Sequence, residues 1–412
     1  MAQQQLSQAQ IATNNAEFFN LVNWRTGMMT SPTSIYKTGQ TTVFTMDSTG
    51  GYAKGIWVTG TVDVNVTLGT GAAVETSPFA PWNLFERVRV KLGNPIHDVH
   101  PFAFELAFRE SNNAGQRSTY PGPNPQTWAQ NYVFGSDNSG TTSWSFQSSS
   151  GDNVWTFAFY IPLQFEPRDA NGLVPLGSSA NKLTVELVPC VTTVGTDPWI
   201  SPVVLTTAGT SSTTVAIGAN NNSLNCVVEY ADMNSLTGPS GAGVVVPDPI
   251  ITAAVYLRDN STPYPTFGQY RYAYMEEPYQ FQRLIAVMND NFSSTVAGHL
   301  GSPSQNSFLS GIVLNYDGQN TARRWDATTG GTIPFWASQL KKYGNFPTEG
   351  IVSFDFASGD DPRNPTGADL LNAALYTQAR IGLQYNNPNT GGSAPNGAYI
   401  YLIGQYIVPQ AY

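Results

Sequence analysis

The sequence predicts an all-β chain of two tandem antiparallel sandwiches, with a helix at the N-terminus. Three observations carry this. The second half repeats landmarks of the first at a nearly constant spacing. Apolar residues alternate over short stretches bounded by Gly, Pro, Asn and Ser. Few stretches carry a helical period. Phe157-Ala158-Phe159 returns as Phe354-Asp355-Phe356, and Leu183-Thr184-Val185-Glu186-Leu187 as Ile381-Gly382-Leu383-Gln384-Tyr385. The turn from Glu166 through Pro167-Arg168-Asp169 to Gly172 returns as Asp361-Pro362-Arg363-Asn364 to Gly367. Upstream, Pro81-Trp82-Asn83-Leu84-Phe85-Glu86-Arg87-Val88 is echoed by Pro278-Tyr279-Gln280-Phe281-Gln282-Arg283-Leu284. The offsets run from 195 to 198 residues, which implies two copies of one domain-sized β unit.

In chain order, residues 1–37 read as an amphipathic helix and arm. Gln3, Gln4, Gln5, Gln8 and Gln10 surround Leu6 and Ile11; Phe18, Phe19, Leu21, Val22 and Trp24 then crowd together before Arg25. Such a helix either packs on its own domain or reaches a neighbour or a membrane surface. Its polar face is Gln rather than Lys, so a purely electrostatic membrane anchor is not implied.

Residues 38–235 form the first expected sandwich. Thr41 to Met46, Ile56 to Val66, Val88 to Leu92, Val154 to Phe165 and Leu183 to Val188 alternate or run with β-branched and aromatic residues. A helix is expected over Pro101 to Ser111, opened by Pro at a first-turn position. The Thr/Ser/Gly/Asn-rich stretch from Val191 to Asp248 reads as a linker, in which the strand-like Asn225 to Tyr230 closes the first domain.

Residues 236–412 form the second sandwich, ending on the strong terminal strand Tyr399 to Val408. A second short helix is expected over Pro334 to Tyr343. These two helices break the register of the repeat. Either the long loops at Gly115 to Gly151 and Asn289 to Gly331 differ between the halves, or the helices are not counterparts. Two β units of this size imply two eight-stranded jelly rolls, each a pair of packed sheets with a few short helices in loops.

Composition narrows the function. Charged residues make up 11% of the chain, against about 25% in an average domain. Asn, Gln, Ser, Thr and Gly carry the polarity instead, as on surfaces that become buried against other subunits. The net charge of −9 argues against direct contact with nucleic acid, which would need Lys and Arg to displace phosphate counterions. The N-terminus lacks the apolar stretch of a secretory signal, so synthesis in a reducing cytoplasm with free Cys190 and Cys226 is expected.

No catalytic constellation stands out, and no enzyme, cofactor or metal centre is expected. His97-Asp98-Val99-His100 offers two imidazoles and a carboxylate without a third convergent ligand, and reads as a turn and helix cap. Asp360, Asp361, Asn364 and Asp369 lack calcium-loop spacing. The echo of this turn at Glu166 to Gly172 marks a structural corner, in which Gly takes the left-handed conformation.

Phe79-Ala80-Pro81-Trp82-Asn83-Leu84-Phe85-Glu86-Arg87-Val88 resembles a Phe-x-Pro-x-Asn-Leu-x-x-Arg-Val stretch in the first jelly roll of tectivirus major capsid proteins. Tyr160-Ile161-Pro162-Leu163 with Asp169 and Gly172, Phe346-Pro347 before Gly350-Ile351-Val352, and the closing Ile403-Gly404-Gln405-Tyr406 are similar to the same family. The resemblance covers most of both halves in order and departs at the linker and the Gly115 to Gly151 loop. It implies a double jelly-roll subunit of a membrane-containing icosahedral bacteriophage, located in the virion. Its implied partners are two further copies in a pseudo-hexagonal homotrimer, neighbouring trimers, vertex and minor capsid proteins, and an internal membrane. It also implies assembly or membrane contact for Leu6, Ile11, Phe18, Phe19 and Trp24. The rival expectation is a secreted carbohydrate-binding or carbohydrate-active protein with two β-sandwich modules, which calls for a signal peptide and an exposed aromatic platform.

Overall fold

The computed structural model describes residues 13, 17–47, 50–76, 82–104, 133–136, 151–164, 172–177, 180–190, 203–207, 209–218, 222–232, 253–263, 268–274, 280–290, 299–300, 309–317, 320–329, 331–335, 351–355, 371–372, 380–385 and 399–409. Among them, strands dominate. The first half holds β1 (Trp24–Met28), β2 (Thr42–Thr45), β3 (Tyr52–Thr67), β4 (Ala73–Thr76), β5 (Phe85–Leu92), β6 (Asn94–Val99), β7 (Val133–Ser136), β8 (Gly151–Pro162), β9 (Val174–Pro175), β10 (Leu183–Pro189), β11 (Val203–Thr207), β12 (Thr214–Ile217) and β13 (Ser223–Ala231). The second half holds β14 (Ala253–Pro263), β15 (Arg271–Tyr274), β16 (Gln280–Asp290), β17 (His299–Leu300), β18 (Leu309–Asp317), β19 (Asn320–Trp325), β20 (Ile351–Asp355), β21 (Leu371–Asn372), β22 (Arg380–Tyr385) and β23 (Tyr399–Pro409).

In the first sandwich one sheet runs β1-β13-β3-β8-β7 and the facing layer runs β2-β10-β5-β6. The second sandwich repeats this connectivity as β14-β23-β16-β20 and β15-β22-β18-β19. Even the two-residue strands correspond: β9 pairs the start of β3, and β21 pairs the start of β16. Among the described residues, each half therefore has eight principal strands in the same order, which is the double jelly roll.

The core of the first sandwich follows from period-two alternation. Ile56, Val58, Val62 and Val64 of β3 point inward, as do Val88, Val90 and Leu92 of β5 and Leu183, Val185 and Leu187 of β10. Phe85 anchors the layer between them, edge-on to Phe157 at 6.0 Å and Phe159 at 5.8 Å. Each such ring, removed from water, contributes on the order of 2 to 3 kcal/mol. In the second sandwich Leu284, Ile312, Leu314, Ile381 and Leu383 are buried in the same way.

Several expectations fall differently. The stretch read as a linker contains, besides the expected strand at Asn225 to Tyr230 (β13), two further strands, β11 and β12. The segment before residue 38 contributes β1, which pairs with β13 from Trp24↔Ala231 to Met28↔Val227. The expected domain boundary near 235 lies outside the described residues. Of the expected helices, residues 13, 17–21, 102–104 and 333–335 are helical, Pro101 is a turn and residues 22–37 are not helical; residues 1–12, 14–16, 105–111 and 336–343 lie outside the described residues. Gly172 has φ +82°, the left-handed conformation expected at the end of the first Pro-Arg turn.

Candidate functional site

Among the described residues, no group of three or more His, Cys, Asp or Glu could hold a metal ion. His97 and His100 are both buried. His97 Nε2 lies 3.1 Å from the Pro162 carbonyl oxygen. His100 caps the turn that follows it: its Nδ1 accepts the Phe102 N–H at 3.2 Å, and its carbonyl accepts the Ala103 N–H at 2.9 Å. The second acidic turn, Asp360 to Asp369, lies outside the described residues.

Two carboxylates gather several donors each. Asp326, at the end of β19, accepts from Thr328 N at 2.9 Å, Thr328 Oγ1 at 2.6 Å, Tyr270 OH at 2.8 Å and Arg324 Nε at 2.5 Å. Burial alone would raise its pKa, but these donors hold it well below the usual carboxylate range. Glu229 of β13 accepts from Trp57 Nε1 at 3.3 Å and Tyr160 OH at 3.2 Å, and pairs with Lys54 at 3.2 Å. Burial, and then the Glu229 charge, push the Tyr160 phenol far up. Each carboxylate is held by several donors at once, an arrangement that fixes local structure.

The seam between the sandwiches is built from charge and strand pairing. β14 runs parallel beside β6, with Leu257 opposite His97 and Arg258 opposite Asp98. Asp259 then accepts the His100 N–H at 2.6 Å and pairs with Arg87 Nη2 at 3.2 Å. Arg87 Nε also bonds Asp98, which Arg89 reaches at 3.2 Å. Glu186 and Lys91 extend the chain of ion pairs across β10 and β5 at 2.5 Å. Apolar contact adds to this: Ile285, Tyr401 and Ile403 belong to the same contiguous buried cluster as the first sandwich's core. Through β14 and β6, one ten-stranded sheet spans both halves.

The N-terminal residues divide. Phe18 is fully buried with Val22, Leu173 and Ala231. Phe19 and Trp24 are half-buried and stack on each other at 6.2 Å. Lys54 lies 4.7 Å over the Trp24 ring. Leu6 and Ile11 lie outside the described residues. Exposed apolar side chains stand nearby in sequence, at Leu21, Met28 and Ile35. The sequence showed the aromatic crowding here, but not the seam: nothing in Arg258-Asp259-Asn260 marks a partner 159 residues away.

No protein-family profile matches this sequence, and no curated protein matches it. Solved structures do. The PBCV-1 virus capsid is similar with a TM-score of 0.58 at 14% identity, over 94% of this chain and 93% of that one. The Faustovirus major capsid protein gives 0.55 at 10% identity, over 94% and 90%. The STIV MCP, from Sulfolobus Turreted Icosahedral Virus, gives 0.52 at 13% identity, over 94% and 97%. What these chains share with this one is the double jelly-roll fold across nearly the full length of both.

Proposed function

We propose that this chain is a non-enzymatic major capsid protein, which assembles as a homotrimer and tiles an icosahedral shell over an internal membrane, as in the tectivirus type. One observation carries the reading. The double jelly roll matches proteins described as viral capsid components end to end, rather than over one sandwich. The low charge content and the acidic balance support it, since they suit subunit contacts and a shell separated from its genome. Three copies of a doubled domain supply six similar walls, which suits a six-sided place in a shell. Leu6, Ile11, Phe19 and Trp24 serve contact with neighbouring capsomers or membrane, and Phe18 holds that segment to its own sandwich. Further partners on this reading are vertex and minor capsid proteins.

Sedimentation of the purified protein tests the proposal. A trimer that persists at micromolar concentration is expected, because an obligate interface of this kind buries on the order of 2,000 Å² or more. A stable monomer at that concentration would sink it.

A further inference from the structure

Among the described residues, the seam contains a hydrogen bond between the sandwiches, from a backbone N–H to a side-chain carboxylate, that depends on a titratable ring. β14 pairs with β6 over two residues only. The next residue, Asp259, takes the His100 N–H at 2.6 Å. His100 is held in place in turn by its own side chain, whose Nδ1 accepts the Phe102 N–H two residues on. The ring so closed is that of an Asx turn, with an imidazole nitrogen where Asn or Asp would present an oxygen. His100 is 2% exposed and Phe102 0%.

An imidazole nitrogen accepts a hydrogen bond only while it carries no proton; in the imidazolium both nitrogens donate. A protonated Nδ1 would meet the Phe102 N–H hydrogen to hydrogen. The buried N–H would lose this acceptor, and breaking a hydrogen bond at a buried donor is costly. Relief requires the 100–102 turn to open, and opening draws the His100 N–H off Asp259. We infer that His100 is an acid-sensitive latch, whose protonation loosens the seam between the two sandwiches.

The surrounding charges come from three strands. Asp259 faces the latch from β14, Asp98 and His97 from β6, and Arg87, Arg89 and Glu86 from β5. His97 meets the Pro162 carbonyl of β8 through Nε2, which can donate in either charge state, so its titration leaves that contact intact. Asp259 works against the latch. Burial raises its pKa, in spite of Arg87 and the His100 N–H, so the folded chain holds that proton more tightly than the unfolded chain does. Its contribution to stability therefore improves as pH falls. Asp259→Asn removes this opposing effect.

Amide hydrogen exchange on the full chain between pH 7.5 and 5.0, corrected for intrinsic rates, tests the latch. The wild type should lose protection at the His100 and Phe102 amides and along the 257–259 pairing. The open population should rise by up to about tenfold per pH unit below about 6.5, where an imidazole ordinarily protonates. His100→Asn offers an oxygen to the same N–H and cannot protonate, so its protection should stay flat. Asp259→Asn and His97→Gln should keep the acid loss. A flat wild-type profile overturns the inference. So does an acid loss that persists in His100→Asn or vanishes in His97→Gln. Should His100→Asn fail to fold, the wild type still decides. The chain has 3 histidines, so ¹³C-histidine labelling resolves the ring, and a His100 titration out of step with seam exchange is equally fatal. None of these readouts depends on the capsid reading, which sedimentation tests separately.

Discussion

Trp325 and Phe335 meet edge to face, with ring centroids 5.2 Å apart at 63°. In the first sandwich His97 and Phe104 meet in the same way, at 5.4 Å and 68°. In each case the first residue stands near the end of a strand, β19 or β6, and the second lies in the short helix beyond it. The two helices are therefore counterparts, each clamped by a ring from the preceding strand. Phe335→Ala should cost about 3 to 5 kcal/mol, because the site is buried and the cavity cannot fully collapse. Chemical denaturation monitored by tryptophan fluorescence measures it. A loss below about 1 kcal/mol would mean that the clamp carries little of the second sandwich's stability.

That correspondence corrects part of the repeat seen in the sequence. From β8 onward the halves align as expected: Phe157 with Phe354, Leu183 with Ile381. Upstream they do not. The echo of Pro81 to Val88 at Pro278 to Leu284 pairs β5 with β16, whereas by topology β5 answers to β18 and β16 to β3. The cause is one connection. β6 ends at 99 and β8 begins at 151, while β19 ends at 325 and β20 begins at 351. Alternation tells which face of a strand is buried, but not which neighbour it pairs with. The same limit hid β11 and β12 in a Thr- and Ser-rich stretch that reads as a linker. It hid the seam too, since long-range pairing leaves no local mark.

Gly60 lies in the middle of β3, between β13 and β8. A Cβ added there would stand 2.4 Å from the Ser223 carbonyl oxygen and 2.9 Å from Phe157 Cζ. The first neighbour is backbone of a paired strand and cannot swing aside. Gly60→Ala should therefore destabilise the first sandwich by about 2 kcal/mol, although alanine is the better residue for an ordinary strand. Thermal melting of the purified variant reads this directly, and an unchanged midpoint would contradict it.

Acid should act on the second sandwich through Asp326. An unfolded aspartate titrates near 3.9, and the donors around Asp326 hold its folded value lower. Between the two, the unfolded chain binds the extra proton, so stability rises with pH in that window. The contribution of Asp326 is thus complete above about pH 4 and is lost as pH falls below it. Melting curves from pH 5 to 3 should steepen in their decline below 4 for the wild type. Asp326→Asn should start lower and decline less. Parallel slopes for the two proteins would show that another group controls the acid response.

Phe18 and Phe19 are neighbours with opposite expected roles. The Phe18 ring is fully buried, edge-on to Phe19 at 5.1 Å and to Tyr52 at 6.3 Å. Removing it opens a cavity between the N-terminal turn and the end of the β1-β13-β3 sheet. Phe18→Ala should therefore cost about 3 kcal/mol of stability in the isolated protein. Phe19 is half-buried, so Phe19→Ala should cost about 1 kcal/mol or less in the same melt. If the segment serves contact between capsomers or with membrane, assembly assays should invert this order. Phe19→Ala and Trp24→Ala would then leave a folded protein that fails to build particles. Equal assembly by wild type and by both of these variants would restrict the segment to holding its own sandwich together.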